Sequence, residues 1–263
     1  MISPETIDGQ GSYLSDSSFL GPLLQRWSRR VTITEDDRRA FAALPWARKT
    51  FNRDAYLVRE GEPTSACTLL LMGMAFRQKL VSDGARQIIS IHIPGEFIDL
   101  QNGLLDIADH NVQALTRTAA ATVPKGPLLE LIGARPNIRR AVWLDTLIDA
   151  SVFREWVVNL GRRDAKARIA HLLCELMARL EASGYRDGAI CDFPLTQEQI
   201  ADATGLTAVH TNRTLQALRK DGLISLSSSK LSIIDWDAMA ELGDFSERYL
   251  HHSVAGQRSQ SGH

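Results

Sequence analysis

The stretch 136–160 constrains the fold of this chain most, because it is apolar on more than one helical face. Ile138, Ala141, Leu144, Ile148, Val152 and Trp156 recur at spacings of three and four, the period of an α-helix. Pro136 suits a first helical turn, where its missing N–H is no loss. Val142, Leu147, Phe153 and Val157 fill the adjacent faces. A helix apolar on more than one side needs two partners. We expect one to be a β domain of the same chain and the other a second copy, with Ala141, Leu144, Ile148 and Val152 in the seam. Leu160-Gly161-Arg162-Arg163-Asp164 ends the pattern. Asp164 can cap a new helix running to about Ala182, its carboxylate accepting from first-turn N–H groups. Glycine costs about 1 kcal/mol against alanine in a helix interior, so Gly161 reads as a hinge between two domains.

Before that helix, from about Phe41 to Ile132, the period is mostly that of strands. Tyr56-Leu57-Val58 is a short strand ending at Gly61-Glu62-Pro63. Cys67 to Met72 and Met74 to Val81 read as two strands bent at Gly73. Ser82-Asp83-Gly84 is a hairpin signal, and Ile88 to Ile93 is the return strand, stopped by Pro94-Gly95. Short strands with regular turns predict a small sandwich or barrel. Residues 1–18 and the chain from about Val254 are rich in small polar residues and read as mobile tails.

Beyond the hinge, Leu195-Thr196-Gln197-Glu198-Gln199-Ile200 opens a short helix. Thr196 and Gln199 form a capping box, Ile200 and Ala203 its inner face, and Gly205 its end. Thr207 caps a second helix, Ala208 to about Lys220, with Leu215 and Leu218 inward. Two short helices joined by a tight glycine turn predict a helix-turn-helix. On the second helix Ala208, Val209, Asn212 and Arg213 share a face. Arg suits guanine, Asn suits adenine and a small apolar group suits the thymine methyl. Thr207 and His210 suit phosphate contacts, and Gln197 is a further candidate for contact with DNA. The segments 223–226 and 231–234 read as a hairpin whose polar tip carries Lys230, a wing over the DNA backbone.

Overall charge says little, since the chain carries a formal −1 at pH 7. Locally, four basic residues (Arg213, Arg219, Lys220, Lys230) face Asp221 alone between positions 205 and 230. Cys67, Cys174 and Cys191 are scattered, with no C-x-x-C pair, so neither a disulfide framework nor a zinc knuckle is expected. We expect a cytoplasmic protein with no membrane contact: no apolar run of about 20 residues spans a bilayer, and Glu5 and Asp8 replace a basic leader.

The chain resembles the Crp/Fnr family of bacterial transcription factors over nearly its whole length. The resemblance is carried by Arg168-Ile169-Ala170-His171-Leu172-Leu173, Leu195 to Ala201, Gly205-Leu206-Thr207, Asn212-Arg213-Thr214-Leu215 and Gly222-Leu223-Ile224. Arg59-Glu60-Gly61-Glu62 and Pro94-Gly95-Glu96-Phe97-Ile98 fit as well. It implies an α+β chain in three parts: a cyclic-nucleotide-binding-like β-roll (jelly-roll) over 19–135, a dimerisation helix and hinge over 136–163, and a winged helix-turn-helix over 164–245. It also implies double-stranded DNA and a second copy of the chain as partners, with RNA polymerase if the protein is an activator.

Two departures inform the effector. In cyclic-AMP-binding members a Glu takes the ribose hydroxyl and an Arg-Ser pair holds the cyclic phosphate. Here those positions fall on Leu100, within Asp99-Leu100-Gln101, and on His110-Asn111. Leu accepts no hydrogen bond, and an unperturbed His is mostly neutral near pH 7. These five are therefore candidate lining residues of a pocket that does not use cyclic AMP. In the recognition helix Val209 replaces the family's frequent base-reading Glu, so a different operator is expected. The cofactor is left unknown. An iron–sulfur cluster needs four thiolates, and haem on His92, His110 or His171 is not expected. No H-E-x-x-H, P-loop or G-x-S-x-G motif is present, and Glu130, Glu155 and the other carboxylates read as solvated faces, so no enzyme is expected. The other reading is a small-ligand or cyclic-nucleotide receptor acting through protein contacts.

Overall fold

The computed structural model describes residues 17–185, 190–227 and 229–252. The expected tails, 1–18 and from about Val254, lie outside those residues except at Ser17 and Ser18, where a 3-10 turn, Ser17–Leu20, begins.

Two short helices open the described chain, α1 (Gly21–Ser28) and α2 (Glu35–Ala42). Pro22 sits in the first turn of α1, and Thr34 and Asp37 make a reciprocal capping box for α2. Helix α1 lies outside the expected elements, which begin at about Phe41. Its Leu23 and Trp27 pack with Phe41 and Trp46 into one core of the roll.

The roll consists of two antiparallel sheets. Strands β1 (Ala47–Phe51), β7 (Thr118–Pro124) and β3 (Ala66–Met72) form one, in that order. Strands β2 (Tyr56–Val58), β6 (Asn111–Ala114), β4 (Ala75–Leu80) and β5 (Arg86–His92) form the other. The hairpin at Asp83-Gly84 joins β4 to β5 as expected, and the bend at Gly73 lies between β3 and β4. Gly73 has φ +81°, and a Cβ there would lie 2.5 Å from the Arg117 carbonyl oxygen, so only glycine fits.

Helix α3 (Lys125–Ala134) leads into the long α4 (Pro136–Arg162). Gly161 is not the break: α4 runs through it. The chain turns at Arg163, in extended backbone, and Asp164 caps α5 (Ala165–Ala182) by accepting from the N–H groups of Lys166 and Ala167. Beyond it lie β8 (Ile190–Asp192), α6 (Gln197–Thr204), α7 (Ala208–Lys220), β9 (Ile224–Ser227), β10 (Lys230–Ile233) and α8 (Trp236–Leu242). Strands β8, β10 and β9 form the wing sheet, whose third strand, β8, the hairpin pattern does not reveal.

The two faces of α4 are divided differently from the sequence expectation. Ala141 (2% exposed) packs in the core beneath α1, and Val152 (8%) packs against the core below the winged helix. Leu144 and Ile148 lean on the same two cores. The four residues expected in a seam between copies therefore face their own chain, because the roll claims the stripe that contains them. The outward face instead carries Trp143 (63% exposed), Leu147 (54%), Phe153 and Val157.

One hydrophobic core runs from the β4–β5 sheet (Phe76, Ile88, Ile91) through Trp156 into α5, α7 and the wing. The sensor and winged halves are thus packed together rather than joined at a free hinge. Buried charge reinforces the contact. Glu175, fully buried, accepts from Trp156 Nε1 (3.0 Å), the Tyr249 hydroxyl (2.9 Å) and Arg179 Nη1 (3.0 Å). Arg179 also donates to Glu96 (2.9 Å) and to the Ile91 carbonyl (2.8 Å) on the roll. The expectation that every carboxylate lies on a solvated face fails at Glu175, which stays buried because each of its oxygens finds a donor.

Candidate nucleic-acid interface

Local chemistry builds this surface. The Thr196 hydroxyl oxygen accepts from the Gln199 N–H (3.1 Å) and Gln199 Oε1 accepts from the Thr196 N–H (2.9 Å), closing the capping box that starts α6. Gly205 ends α6 in the left-handed region, φ +63°. The Thr207 hydroxyl oxygen accepts from the His210 N–H (3.2 Å) and starts α7, leaving its O–H to donate outward. Leu215 (1% exposed), Leu218 (0%) and Thr211 (0%) anchor the inner side of α7.

The outer side of α7 is open. Ala208, Val209, Asn212 and Arg213 are all exposed, Val209 by 81%. Arg213 makes no hydrogen bond or ion pair among the described residues. Asn212 receives a long contact from Gln197 Nε2 (3.4 Å), which brings α6 onto the same surface, while His210 is half-buried at the edge. A helix packed on one side, with Arg and Asn exposed on the other, can present donors and acceptors to base edges in a major groove.

The local positive charge is smaller than the sequence count. Lys230, on the wing, is 2.8 Å from Asp192 Oδ1, and that pair is exposed on both sides. Arg219 is half-buried and donates to the Leu226 carbonyl (2.6 Å), tying α7 to β9. Lys166 of α5 takes Asp221 (2.6 Å). Exposed pairs of this kind are worth about 0–1 kcal/mol, so Lys230 stays available to a phosphate.

Another contact was not legible in sequence. Asp202 of α6 is gripped by the tip of the β4–β5 hairpin. Arg86 Nη2 is 2.6 Å from its carboxylate and Gln87 Nε2 donates to its carbonyl at 2.6 Å. Neither partner carries a local signal, since they lie more than a hundred positions away.

The five candidate effector positions do not gather into a pocket. Asp99 (1% exposed) accepts from the Thr68 N–H at 2.5 Å, and burial pushes its carboxyl up to about 7. Asn111 accepts from the Glu60 N–H (3.0 Å). His110 is turned to Asp109 (2.5 Å), and its pKa is held below the ordinary value by burial and then by Arg77. These three are committed to the roll. Leu100 and Gln101 alone reach the edge of an open cavity. His171 is likewise committed, to the Gly243 carbonyl and the Tyr249 hydroxyl, each at 3.0 Å. Cys67, Cys174 and Cys191 are all buried. No helix among the described residues is long and apolar enough to cross a membrane.

Comparisons with known proteins agree with this geometry. Residues 167–242 match the model of a Crp-like helix-turn-helix domain and residues 48–135 that of a cyclic nucleotide-binding domain. The transcriptional activator protein FnrL of Cereibacter sphaeroides is 28% identical over 204 residues, covering 76% of this chain and 82% of that protein. The nitrogen fixation regulation protein FixK of Bradyrhizobium diazoefficiens is 28% identical over 186 residues, 70% of this chain and 77% of that one. The solved structure of FixK2 from Bradyrhizobium japonicum superposes with a TM-score of 0.69 at 23% identity, covering 75% of this chain and 96% of that one.

Proposed function

Because this chain belongs to the Crp/Fnr family of DNA-binding transcription regulators rather than to any class of enzyme, we propose that it binds palindromic operators as a homodimer, reading bases with the outer face of α7. One observation carries this reading: Ala208, Val209, Asn212 and Arg213 are exposed together on a helix whose opposite side is fully packed. Arg213 is the base reader, Asn212 its neighbour, and Thr207, His210, Gln197 and Lys230 contact the backbone.

The three functional parts are 19–135 as sensor, 136–163 as dimerisation helix and 164–245 as DNA-binding domain. The outward apolar stripe of α4 supports the second role, since Trp143, Leu147, Phe153 and Val157 stay largely exposed among the described residues. The two-fold axis of such a dimer places half-sites about one helical turn, roughly 10 base pairs, apart. Cyclic AMP is not the effector: Leu100 offers no acceptor, and His110 is buried, uncharged and held by Asp109. FnrL is named a transcriptional activator. By that analogy RNA polymerase joins DNA among the partners, and the cytoplasm is the place of action.

Selection of an operator from random DNA, followed by binding measurements on Arg213→Ala, tests the reading. Loss of about 1–3 kcal/mol, with preference relaxed at one base per half-site, is expected. Lys230→Ala should weaken specific and random DNA alike. An Arg213→Ala loss equal on both would show that α7 does not read bases through this face.

A further inference from the structure

A cavity of about 90 Å³ lies between α1, the end of β5, α4 and the C-terminal end of α5, where the roll meets the winged half. That space is several times the minimum of about 10–15 Å³ needed by one water, and small for a nucleotide. Arg26, Arg29, Arg30, Arg77 and Arg179 line it, against the carboxylates of Glu96, Asp145 and Asp149.

Arg26 takes Asp145 (2.7 Å), Arg77 takes Asp149 (3.0 Å) and Arg179 takes Glu96 (2.9 Å). Arg179 also holds the buried Glu175 (3.0 Å), so five arginines meet four carboxylates and one cation is left over. Arg29 donates to the Ala182 carbonyl, and Arg30 to the His251 carbonyl. Arg30 reaches only the already paired Asp145, at 3.7 Å, although its side chain is 8% exposed. A charge so buried is costly unless an opposite charge meets it. Burial and then Arg26 lower the pKa of Arg30, and burial and then Arg30 and Arg179 push that of His252 down to about 4.

The lining also holds polar atoms without partners. Arg26 Nε and Arg77 Nε are buried and unbonded, and so is Nε2 of His92, a residue 2% exposed. Burial keeps that imidazole neutral, and its Nδ1 is 3.6 Å from Glu96. With the proton on Nδ1 facing the carboxylate, Nε2 is left as an acceptor. A ligand matched to this lining is an anion that carries one O–H.

We propose that this cavity binds hydrogenphosphate, the arginines holding its oxygens and His92 Nε2 accepting its proton-bearing oxygen. Guanidinium groups suit phosphate oxygens because their donors form a planar fork. Sulfate has the same charge and shape but offers no O–H. The site is separate from the DNA-reading face, so it stands or falls independently of that reading.

Calorimetry on the full chain in phosphate-free buffer, titrated with sodium phosphate and with sodium sulfate at matched ionic strength, tests it. One saturable site per chain is expected for phosphate, with sulfate weaker by about tenfold or more, the worth of one charge-assisted hydrogen bond. Arg30→Gln should weaken phosphate by a similar factor. Arg29→Gln, at the exposed rim, does the same without disturbing the core and decides the matter if Arg30→Gln melts early. Arg213→Ala should leave phosphate binding intact. No saturable binding, equal affinity for sulfate, indifference to both arginine changes, or loss in Arg213→Ala would each overturn the proposal.

Discussion

Substitution of Leu147 by aspartate separates the two faces of α4. Leu147 is 54% exposed in the single chain, so a charge there costs the monomer little. In a two-fold dimer each copy would bury the remaining half of its leucine. Full burial of a leucine is worth about 1.5–3 kcal/mol, so the half still exposed is worth about 1 kcal/mol per subunit. Placing a carboxylate against the facing Trp143 or Phe153 adds a desolvation cost of at least about 1–3 kcal/mol per copy. Two copies together give at least about 4 kcal/mol, or roughly a thousandfold in the dimer constant. Sedimentation equilibrium on Leu147→Asp should therefore show monomers at concentrations where the parent chain is dimeric, with an unchanged melting profile at high dilution. Ile148→Asp, on the inward stripe, should instead lower stability. A Leu147→Asp chain that stays dimeric and binds a palindrome unchanged would refute the assignment of this face.

Glu175→Ala strands Arg179 and two further donors in the core. Removing one partner of a buried pair costs about 3–5 kcal/mol, and the low end applies because Glu96 still holds Arg179. Urea unfolding would read that loss, and a change below about 1 kcal/mol would show the network to be dispensable. Asp99→Asn keeps the acceptor for the Thr68 N–H but removes a carboxyl whose pKa burial raises to about 7. A folded pKa above the unfolded value means that ionisation opposes folding. The wild type thus loses stability relative to Asp99→Asn as pH rises from about 4 to about 7, and the difference levels off above that. Urea midpoints of both chains at about pH 5 and pH 8 check this, since the depressed histidines cancel in the difference; a constant gap would count against it. Titration calorimetry with cyclic AMP should give no binding, and micromolar affinity lost in His110→Ala would contradict the reading of that site.

Much of the DNA-reading surface was legible because its determinants are local. The capping box at Thr196 and Gln199, the left-handed Gly205, the cap at Thr207 and the inward Leu215 and Leu218 each act within one helical turn. Asp83-Gly84 and Gly73 likewise shape the roll through backbone geometry alone. Gly161 misled because a propensity of about 1 kcal/mol is easily outweighed by the packing of Trp156 and Asn159 in the turn before it. Asp164, with a specific cap, marked the true break.

What the sequence by itself determined, then, was the β4–β5 hairpin, the long helix and the cap after it, the helix-turn-helix and the residues open on α7. Only the tertiary structure decided which stripe of α4 faces inward, because both stripes are apolar and the choice depends on where the roll lies. It also decided that Asp99, His110 and Asn111 are committed to the roll, that Glu175 is buried, and that five arginines converge on one cavity. Those outcomes join residues far apart in the chain. Periodicity and capping act over a few residues, and burial is settled only when distant surfaces meet.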